Sequence, residues 1–324
     1  MAVHPASAFF PVRVRRKTRL AEHIAGFELI PANDTPLPPF TAGAHIDVAL
    51  PNGLIRQYSL CNPPGQAGAY EIGVLLAPAG RGGSSSAHRD IAEGDVIRIG
   101  APRNHFPLVP AARSLLFAGG IGITPLLSMA WALHRDGADF ALHYCVRQQA
   151  GAAYLDRLAA APFASQVRLH VDGEPARRLD VAALLASPPP DTRLYVCGPQ
   201  GFMNHVIATA HEHGWPDDHI HFEYFAAPAR EPDALADSFE VCVPSRGVTA
   251  RVPADRSVAQ TLLAHGVPVA LSCEQGICGS CLMRVLDGEP EHRDVFLSDA
   301  EKAANDRFLP CCSRARGARL VVDF

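Results

Sequence analysis

The chain has 324 residues and a formal net charge of -4, enough length for two or three domains that each bury a core. That charge gives no whole-chain pull toward nucleic acid or an anionic membrane surface, so nucleic acid is not an expected partner. The N-terminus lacks a basic start followed by a long apolar run, and no stretch of about eighteen uncharged apolar residues follows; no membrane segment is expected, and the expected location is the cytoplasm. Nine cysteines, an odd count without a secretion signal, favour metal or redox chemistry over a disulfide framework. Cys61, Cys145, Cys197 and Cys242 are scattered, whereas the other five lie near the C-terminus.

From Phe9 to about His105, short alternating segments recur at Val12–Arg15, Ile24–Ile30, His45–Leu50, Tyr70–Leu76 and Asp95–Ile99. Pro, Gly and Asn clusters separate them, the pattern of a small antiparallel barrel. Within it, Arg56-Gln57-Tyr58-Ser59 offers a guanidinium suited to phosphate, a ring able to lie on a flat cofactor, and a hydroxyl. Such a run alone is more often a solvated strand face. A second motif, Gly80-Arg81-Gly82-Gly83-Ser84-Ser85, predicts a turn with converging N–H groups. Two phosphate-type motifs in one small β domain point to a flavin nucleotide.

From Ser114 to Phe225 apolar strands alternate with Ala/Leu/His-rich helical stretches. Strands are predicted at Ser114–Ala118, Phe140–Cys145, Val167–Val171 and Arg193–Cys197, with helices starting near Pro125, Ala152, Asp180 and Pro199; this alternation builds a parallel, doubly wound sheet. Gly119-Gly120-Ile121-Gly122-Ile123-Thr124-Pro125 follows the first strand as a pyrophosphate-type turn, with Thr124 predicted to cap the next helix. It is not the G-x-G-x-x-G fingerprint. Arg147 stands where an acidic residue would select NADH; it is a nucleotide-contacting candidate and leaves NADH versus NADPH open. Cys197-Gly198-Pro199 closes the fourth strand with a second Gly-rich turn, although a lone strand cysteine is more often just a small buried residue.

Residues 227–236 carry two prolines and little pattern, the composition of a linker. Beyond it, Phe239–Val243 and Val248–Val252 alternate around a turn, and Val258–His265 is a short amphipathic helix ending at Gly266. Then comes Cys273-x4-Cys278-x2-Cys281, with Cys311-Cys312 about thirty residues later, a spacing of the plant-type [2Fe-2S] kind. Zinc prefers paired C-x2-C knuckles, which this loop lacks. Either member of the late pair could close the site. His292-Arg293-Asp294 has the letters of a kinase catalytic loop, but the loop's Asn is Asp299, no D-F-G exists and the order is wrong, so a kinase is excluded.

Three motifs in fixed order, Arg56-x-Tyr58-Ser59, Gly119–Pro125 with Cys197-Gly-Pro199, and Cys273-x4-Cys-x2-Cys281, resemble the phthalate dioxygenase reductase and vanillate demethylase reductase family, within the wider ferredoxin–NADP reductase superfamily. Gly80–Ser84, His221–Phe225, Glu291–Asp294 and Cys311–Arg314 are also similar to family segments. The resemblance implies a multidomain fold: an antiparallel β-barrel flavin domain (1–110), an α/β doubly wound nucleotide domain (111–226), a linker (227–236) and an α+β β-grasp ferredoxin domain (237–324).

It further implies that Arg56 and the turn of Gly80, Arg81, Gly82, Gly83, Ser84 and Ser85 hold FMN phosphate. Gln57 and Tyr58 would contact the flavin and Ser59 would sit near its N5. Gly119, Gly120, Ile121, Gly122 and Thr124 would receive the NADH pyrophosphate. Cys197, with Gly198 and Pro199, would lie beside the nicotinamide, and Glu223 and Phe225 would line the flavin–nicotinamide contact. Cys273, Cys278, Cys281 and, by the family's C-x-S-R pattern, Cys311 would ligate the cluster. The implied activity is the NADH-dependent reductase component of an aromatic oxygenase, passing electrons through FMN and [2Fe-2S] to a terminal Rieske-type oxygenase, with the reductase a monomer. The alternative is a stand-alone NAD(P)H-dependent flavin, quinone or ferric reductase.

Overall fold

The structure is a computed structural model that describes residues 9–66, 68–78, 80–187, 189–226 and 238–324. The predicted linker at 227–236 lies outside the described residues. Two compact units are present, one of them Ala8–Phe225 and the other containing Ala226–Phe324.

The first unit opens with six antiparallel strands: β1 (Phe10–Ala21), β2 (Ile24–Pro31), β3 (His45–Ala49), β4 (Ile55–Ser59), β5 (Tyr70–Leu75) and β6 (Val96–Ile99). Their order is β4-β3-β6-β1-β2-β5. Alternation decides which face turns inward. Val12 and Val14 of β1 are fully buried while Arg13 between them and Arg15 after them face out, the period-2 pattern of a half-buried strand. With Leu29, Ile46, Val48, Ile72, Val74 and Ile99 they form the barrel core, each such side chain contributing about 1.5–3 kcal/mol of burial. An isolated bridge between Leu60 and Ile72 brings the two edge strands together, which covers edges that would otherwise stay unpaired.

The predicted Gly80–Ser85 turn is shorter than expected. Gly83–Asp90 forms helix α1, with Gly82 at its N-cap in the left-handed region. Gly and Ser are poor helix formers, but Ser86 and Ala87 are buried against the barrel, and tertiary packing sustains a helix that propensity alone would not.

The same unit continues with β7 (Arg113–Gly119), α2 (Ile123–Arg135), β8 (Asp139–Val146), α3 (Leu155–Ala160), β9 (Val167–Val171), α4 (Val181–Leu185), β10 (Thr192–Cys197), α5 (Gln200–Glu212) and β11 (Ile220–Glu223). The sheet is all parallel in the order β11-β10-β7-β8-β9. Strand order therefore reverses between β7 and β10, and open α/β sheets bind ligands in the crevice at such a reversal. Asp180 caps α4, its carboxylate accepting from the Ala183 N–H at 3.0 Å. The two sheets are joined by buried contacts, among them Ser128 Oγ donating to the Asn62 carbonyl at 3.1 Å.

The second unit holds β12 (Phe239–Val243), β13 (Val248–Val252), α6 (Val258–Ala264), β14 (Met283–Asp287), β15 (Pro290–Glu291), α7 (Asp299–Ala304), β16 (Arg307–Phe308), β17 (Arg314–Ala315) and β18 (Arg319–Asp323). The sheet order is β13-β12-β18-β14-β16, with β12 and β18 parallel at its centre. Ser257 and Gln260 close a reciprocal capping box at the start of α6, satisfying two otherwise orphan donors. Leu262 of α6 packs with Val241, Phe308 and Leu320 in a single core, the helix-on-sheet arrangement of a β-grasp module. The three-part fold class expected from the sequence is the one observed.

Candidate functional site

Strand β4 places Arg56 opposite Val48, Gln57 opposite Asp47, Tyr58 opposite Ile46 and Ser59 opposite His45. The Arg56 side chain lies on the start of α1: a Cβ added at Gly83 would stand 2.7 Å from Arg56 Nε. Helix α1 has no side-chain cap, so its first N–H groups lack intrahelical partners and its positive end faces the guanidinium. Ser84 is turned elsewhere, its Oγ accepting from the Ala77 N–H at 2.9 Å. A helix N-terminus beside an arginine is a seat for a phosphate. Burial pushes the Tyr58 hydroxyl up to about 12, partly offset by Arg56, so the ring stays neutral.

At the reversal point, two Gly-rich turns meet backbone to backbone. A Cβ on Gly122 would come within 2.2 Å of the Cys197 carbonyl oxygen, and one on Gly198 within 2.8 Å of Gly119 Cα. Only glycine fits such an approach. Gly120–Gly122 forms a 3-10 turn leading into α2, and this moves the helix start ahead of Thr124. Thr124 is therefore not the cap: its hydroxyl donates to the Ile121 carbonyl at 3.0 Å, and it is buried within the first turn. Pro199 precedes α5 directly, giving the crevice a second helix start. Arg147 is exposed just past β8, where its carbonyl accepts from the Gly173 N–H at 3.3 Å.

Ser59 at the end of β4, Cys197 at the end of β10 and Glu223 at the end of β11 come together beside the crevice. Cys197 is fully buried, and its thiol donates to the Glu223 carbonyl at 3.4 Å. Burial and the neighbouring Glu223 drive the Cys197 thiol far above its ordinary range. The Glu223 carboxyl is pushed up to about 8 by burial, with the Ser59 hydroxyl pulling it partly back. Its Oε1 lies 3.7 Å from His45 Nδ1. Phe225 packs, partly buried, on the core beneath the nucleotide sheet. His45 was not among the residues singled out in the sequence. It sits in an alternating strand like any other, and only its register with Ser59 brings it to the site.

In the second unit, Cys273 lies against Cys278, and Cys311 lies against both Cys281 and Cys312. Hydrogen bonding to Cys273 lowers the Cys278 thiol to about 6 and raises that of Cys273. The Gln275 N–H points at Cys273 Sγ at 3.3 Å, and the Cys278 thiol donates to Ser280 Oγ at 3.3 Å. The Gly276 N–H is turned to Cys311. Cys312 also has its thiol 3.7 Å from the Leu309 carbonyl and lies beside Ser313, and a Cβ on Gly276 would come within 2.5 Å of its Sγ. Among the described residues no three candidate ligands gather at one point. Thiols drawn from the 273–281 loop and the 311–312 turn, with backbone N–H groups aimed at sulfur that suit the negative charge of a cluster, fit a [2Fe-2S] centre.

Asp294, from the triplet excluded as a kinase motif, underlies this loop. It is buried, and its carboxylate accepts from the Leu297 N–H at 2.8 Å and the Ser313 hydroxyl at 3.5 Å. The Arg293 N–H also reaches Ser313 Oγ at 3.1 Å. The segment 291–294 thus ties the cysteine loop to the Cys311 turn.

Comparison with known proteins agrees with this geometry. A family model described as "2Fe-2S iron-sulfur cluster binding domain" matches residues 243–316, and one described as "Oxidoreductase NAD-binding domain" matches 116–207. A vanillate O-demethylase oxidoreductase of a Pseudomonas sp. is 54% identical over 308 residues, covering 94% of this chain and 96% of that one. A tetrachlorobenzoquinone reductase of Sphingobium chlorophenolicum is 42% identical over 316 residues, covering 96% of each. A solved structure of phthalate dioxygenase reductase, described as modular for electron transfer from pyridine nucleotides to [2Fe-2S], superposes with a TM-score of 0.77 at 39% identity, covering 98% of both chains. With an iron–sulfur domain, a nicotinamide-nucleotide domain and full-length relatives of this kind, the chain belongs to the family of vanillate O-demethylase oxidoreductases and phthalate dioxygenase reductases.

Proposed function

We propose that this protein is the reductase component of a multicomponent aromatic oxygenase, moving electrons from NADH through FMN and a [2Fe-2S] cluster to a terminal Rieske-type oxygenase. The observation that carries the reading is the meeting of Ser59, at the end of the strand that bears Arg56, with Glu223 and Cys197 at the crevice where Gly122 approaches Cys197. A flavin and a nicotinamide seated at those two places would meet there. The assignment divides the chain into a flavin domain over 1–110, a nucleotide domain over 111–226 and a ferredoxin domain over 237–324, acting as a cytoplasmic monomer. Among the described residues no helix is long and apolar enough to cross a membrane.

When bound, flavin accepts a hydride and releases its electrons singly, and the cluster takes one at a time. The chain's own residues do the rest. Arg56 and the N–H groups of α1 bind the phosphate and fix the flavin in the barrel. Gly119 to Gly122 let backbone approach the pyrophosphate, and Gly198 and Pro199 hold the Cys197 end of β10 against it. Tyr58 supplies a neutral ring to the flavin, Ser59 a hydroxyl at its reactive edge, and Glu223 a buried carboxyl able to hold a proton at neutral pH. Cys273, Cys278, Cys281 and Cys311 hold the irons. Plant-type clusters lie near about -400 mV and Rieske centres at about -150 mV or above, so transfer outward is downhill.

Anaerobic addition of NADH to the purified chain tests this. Flavin and iron–sulfur absorbance should both bleach, and the flavin released on denaturation should be FMN. A quinone reductase is the second reading, favoured by the similarity to tetrachlorobenzoquinone reductase. It predicts full turnover with quinone alone, whereas the oxygenase reading predicts product only when an oxygenase is added.

A further inference from the structure

Glu223 has one oxygen with nothing to bond: Oε2 is buried and lacks a hydrogen-bond partner among the described residues. The other, Oε1, faces His45 across 3.7 Å, within ion-pair range and just beyond a direct hydrogen bond. Behind His45 runs a chain of polar contacts whose direction can be worked out from donors and acceptors alone. Arg103 pairs with Asp47 Oδ2 at 2.7 Å, and a carboxylate so paired only accepts. Gln57 must therefore turn its amide nitrogen, not its oxygen, to Asp47 Oδ1 at 3.1 Å. The same nitrogen lies 3.4 Å from His45 Nε2. An amide nitrogen donates and does not accept, so His45 Nε2 is the accepting nitrogen and the ring proton sits on Nδ1. That proton points at Glu223.

We propose that His45 is a positioning residue for Glu223: its Nδ1–H, aligned by Gln57, Asp47 and Arg103, holds Oε1 and leaves Oε2 for the proton that the carboxyl carries. The proposal rests on the reading of Ser59 and Glu223 as lining the flavin–nicotinamide contact. His45 itself is 4% exposed, and burial, with Arg103 and His105 nearby, keeps the imidazole neutral, at a pKa of about 3. It thus serves as a fixed donor rather than a second acid. The groups that face this pair are Ser59 from β4, Cys197 from β10, Gln57 and Asp47 across the barrel strands, Arg103, and His105, whose ring lies 5.5 Å from that of His45. An N–H aimed at a carboxylate favours its charged form, so His45 restrains the proton affinity that burial gives Glu223.

The test is a pH titration of the full-length protein labelled with [13Cδ]glutamate, with Glu223→Gln identifying the resonance. In His45→Leu the Glu223 midpoint should rise by about one unit, a tenfold gain in proton affinity. In His45→Asn, whose amide N–H can stand where Nδ1–H stood, it should return toward the wild-type value. Gln57→Met, which frees the tautomer without removing the ring, should raise it by less. An unmoved midpoint in His45→Leu, or equal midpoints in the Leu and Asn variants, overturns the proposal; if His45→Leu does not fold, equal midpoints in Gln57→Met and the wild type do so. Stopped-flow reduction of bound flavin by NADH examines the underlying reading separately. If NADH reduces no flavin in the wild type, that reading falls while the titration still decides the role of His45. If it does, the pH profile of reduction should shift with the same midpoint in His45→Leu.

Discussion

The Arg56 side chain occupies the space that any β-carbon at Gly83 would need, 2.7 Å from the guanidinium Nε. Gly83→Val should therefore push the guanidinium off the start of α1, and Arg56→Ala should remove it. Both variants are expected to weaken flavin retention, Arg56→Ala by about 1.5–3 kcal/mol, the range of a charge-assisted hydrogen bond. Arg56→Lys should recover only part, since it keeps the charge and loses the fork. Flavin fluorescence during dilution or gel filtration measures the effect.

The two late cysteines should separate cleanly. Cys311→Ser removes the sulfur that lies against both Cys281 and Cys312, and is expected to lose the cluster; Cys312→Ser, at the neighbour beside Leu309 and Ser313, is expected to keep it. Iron and acid-labile sulfide per chain report the difference. Gly276→Ala should also lower the cluster content, because the backbone there has φ +73° and a Cβ would lie 2.5 Å from Cys312 Sγ and 3.0 Å from Asp294 Cα. A destabilisation of about 1–3 kcal/mol is expected from strain of that kind.

Cys278→Ser should divide the relay. Transfer to the oxygenase partner is expected to cease while NADH still reduces the flavin, as stopped-flow at the flavin and cluster bands would show. Loss of both activities would sink the separation into modules.

At the crevice, Gly122→Ala places a methyl group against the Cys197 carbonyl. The two turns must part, so KM for NADH should rise at least about tenfold, with flavin content unchanged.

Glu223 should leave a mark on stability as well as on rate. Its pKa stands at about 8 in the folded chain against an ordinary 4.5. Between those values the folded chain retains a proton that the unfolded chain has released, so stability is full below pH 4.5 and declines as pH rises toward 8. Glu223→Gln should flatten that decline, gaining about 1–3 kcal/mol relative to wild type at pH 9 but little at pH 5. Urea unfolding at the two pH values provides the comparison.

Much of this was legible in the sequence where the determinants are local. Strands β9, β12 and β13 have the bounds their alternation predicts, and three candidate cluster cysteines lie within one nine-residue loop, where spacing alone speaks. Other features depend on contacts that no window contains. Helix α1 is hidden behind residues with poor helix propensity and exists because Ser86 and Ala87 are buried. Thr124 has the composition of a cap, yet the 3-10 turn before it takes up the helix start. His45 shares a strand face with its neighbours and gains its meaning only from the pairing of β3 with β4 and from Glu223, far along the chain. Register and long-range packing are what periodicity cannot supply.

The parallel pairing of β12 with β18 also dictates an order of events during synthesis. The strand at the centre of the second sheet must wait for a partner translated after all the cysteines. While the ribosome is still adding the residues between them, Cys273, Cys278, Cys281 and Cys311 emerge without the sheet that frames them, and non-local pairings of this type form late. The sheet that frames these thiols is complete only once β18 has left the ribosome, so a nascent chain stalled before Arg319 would expose them without it.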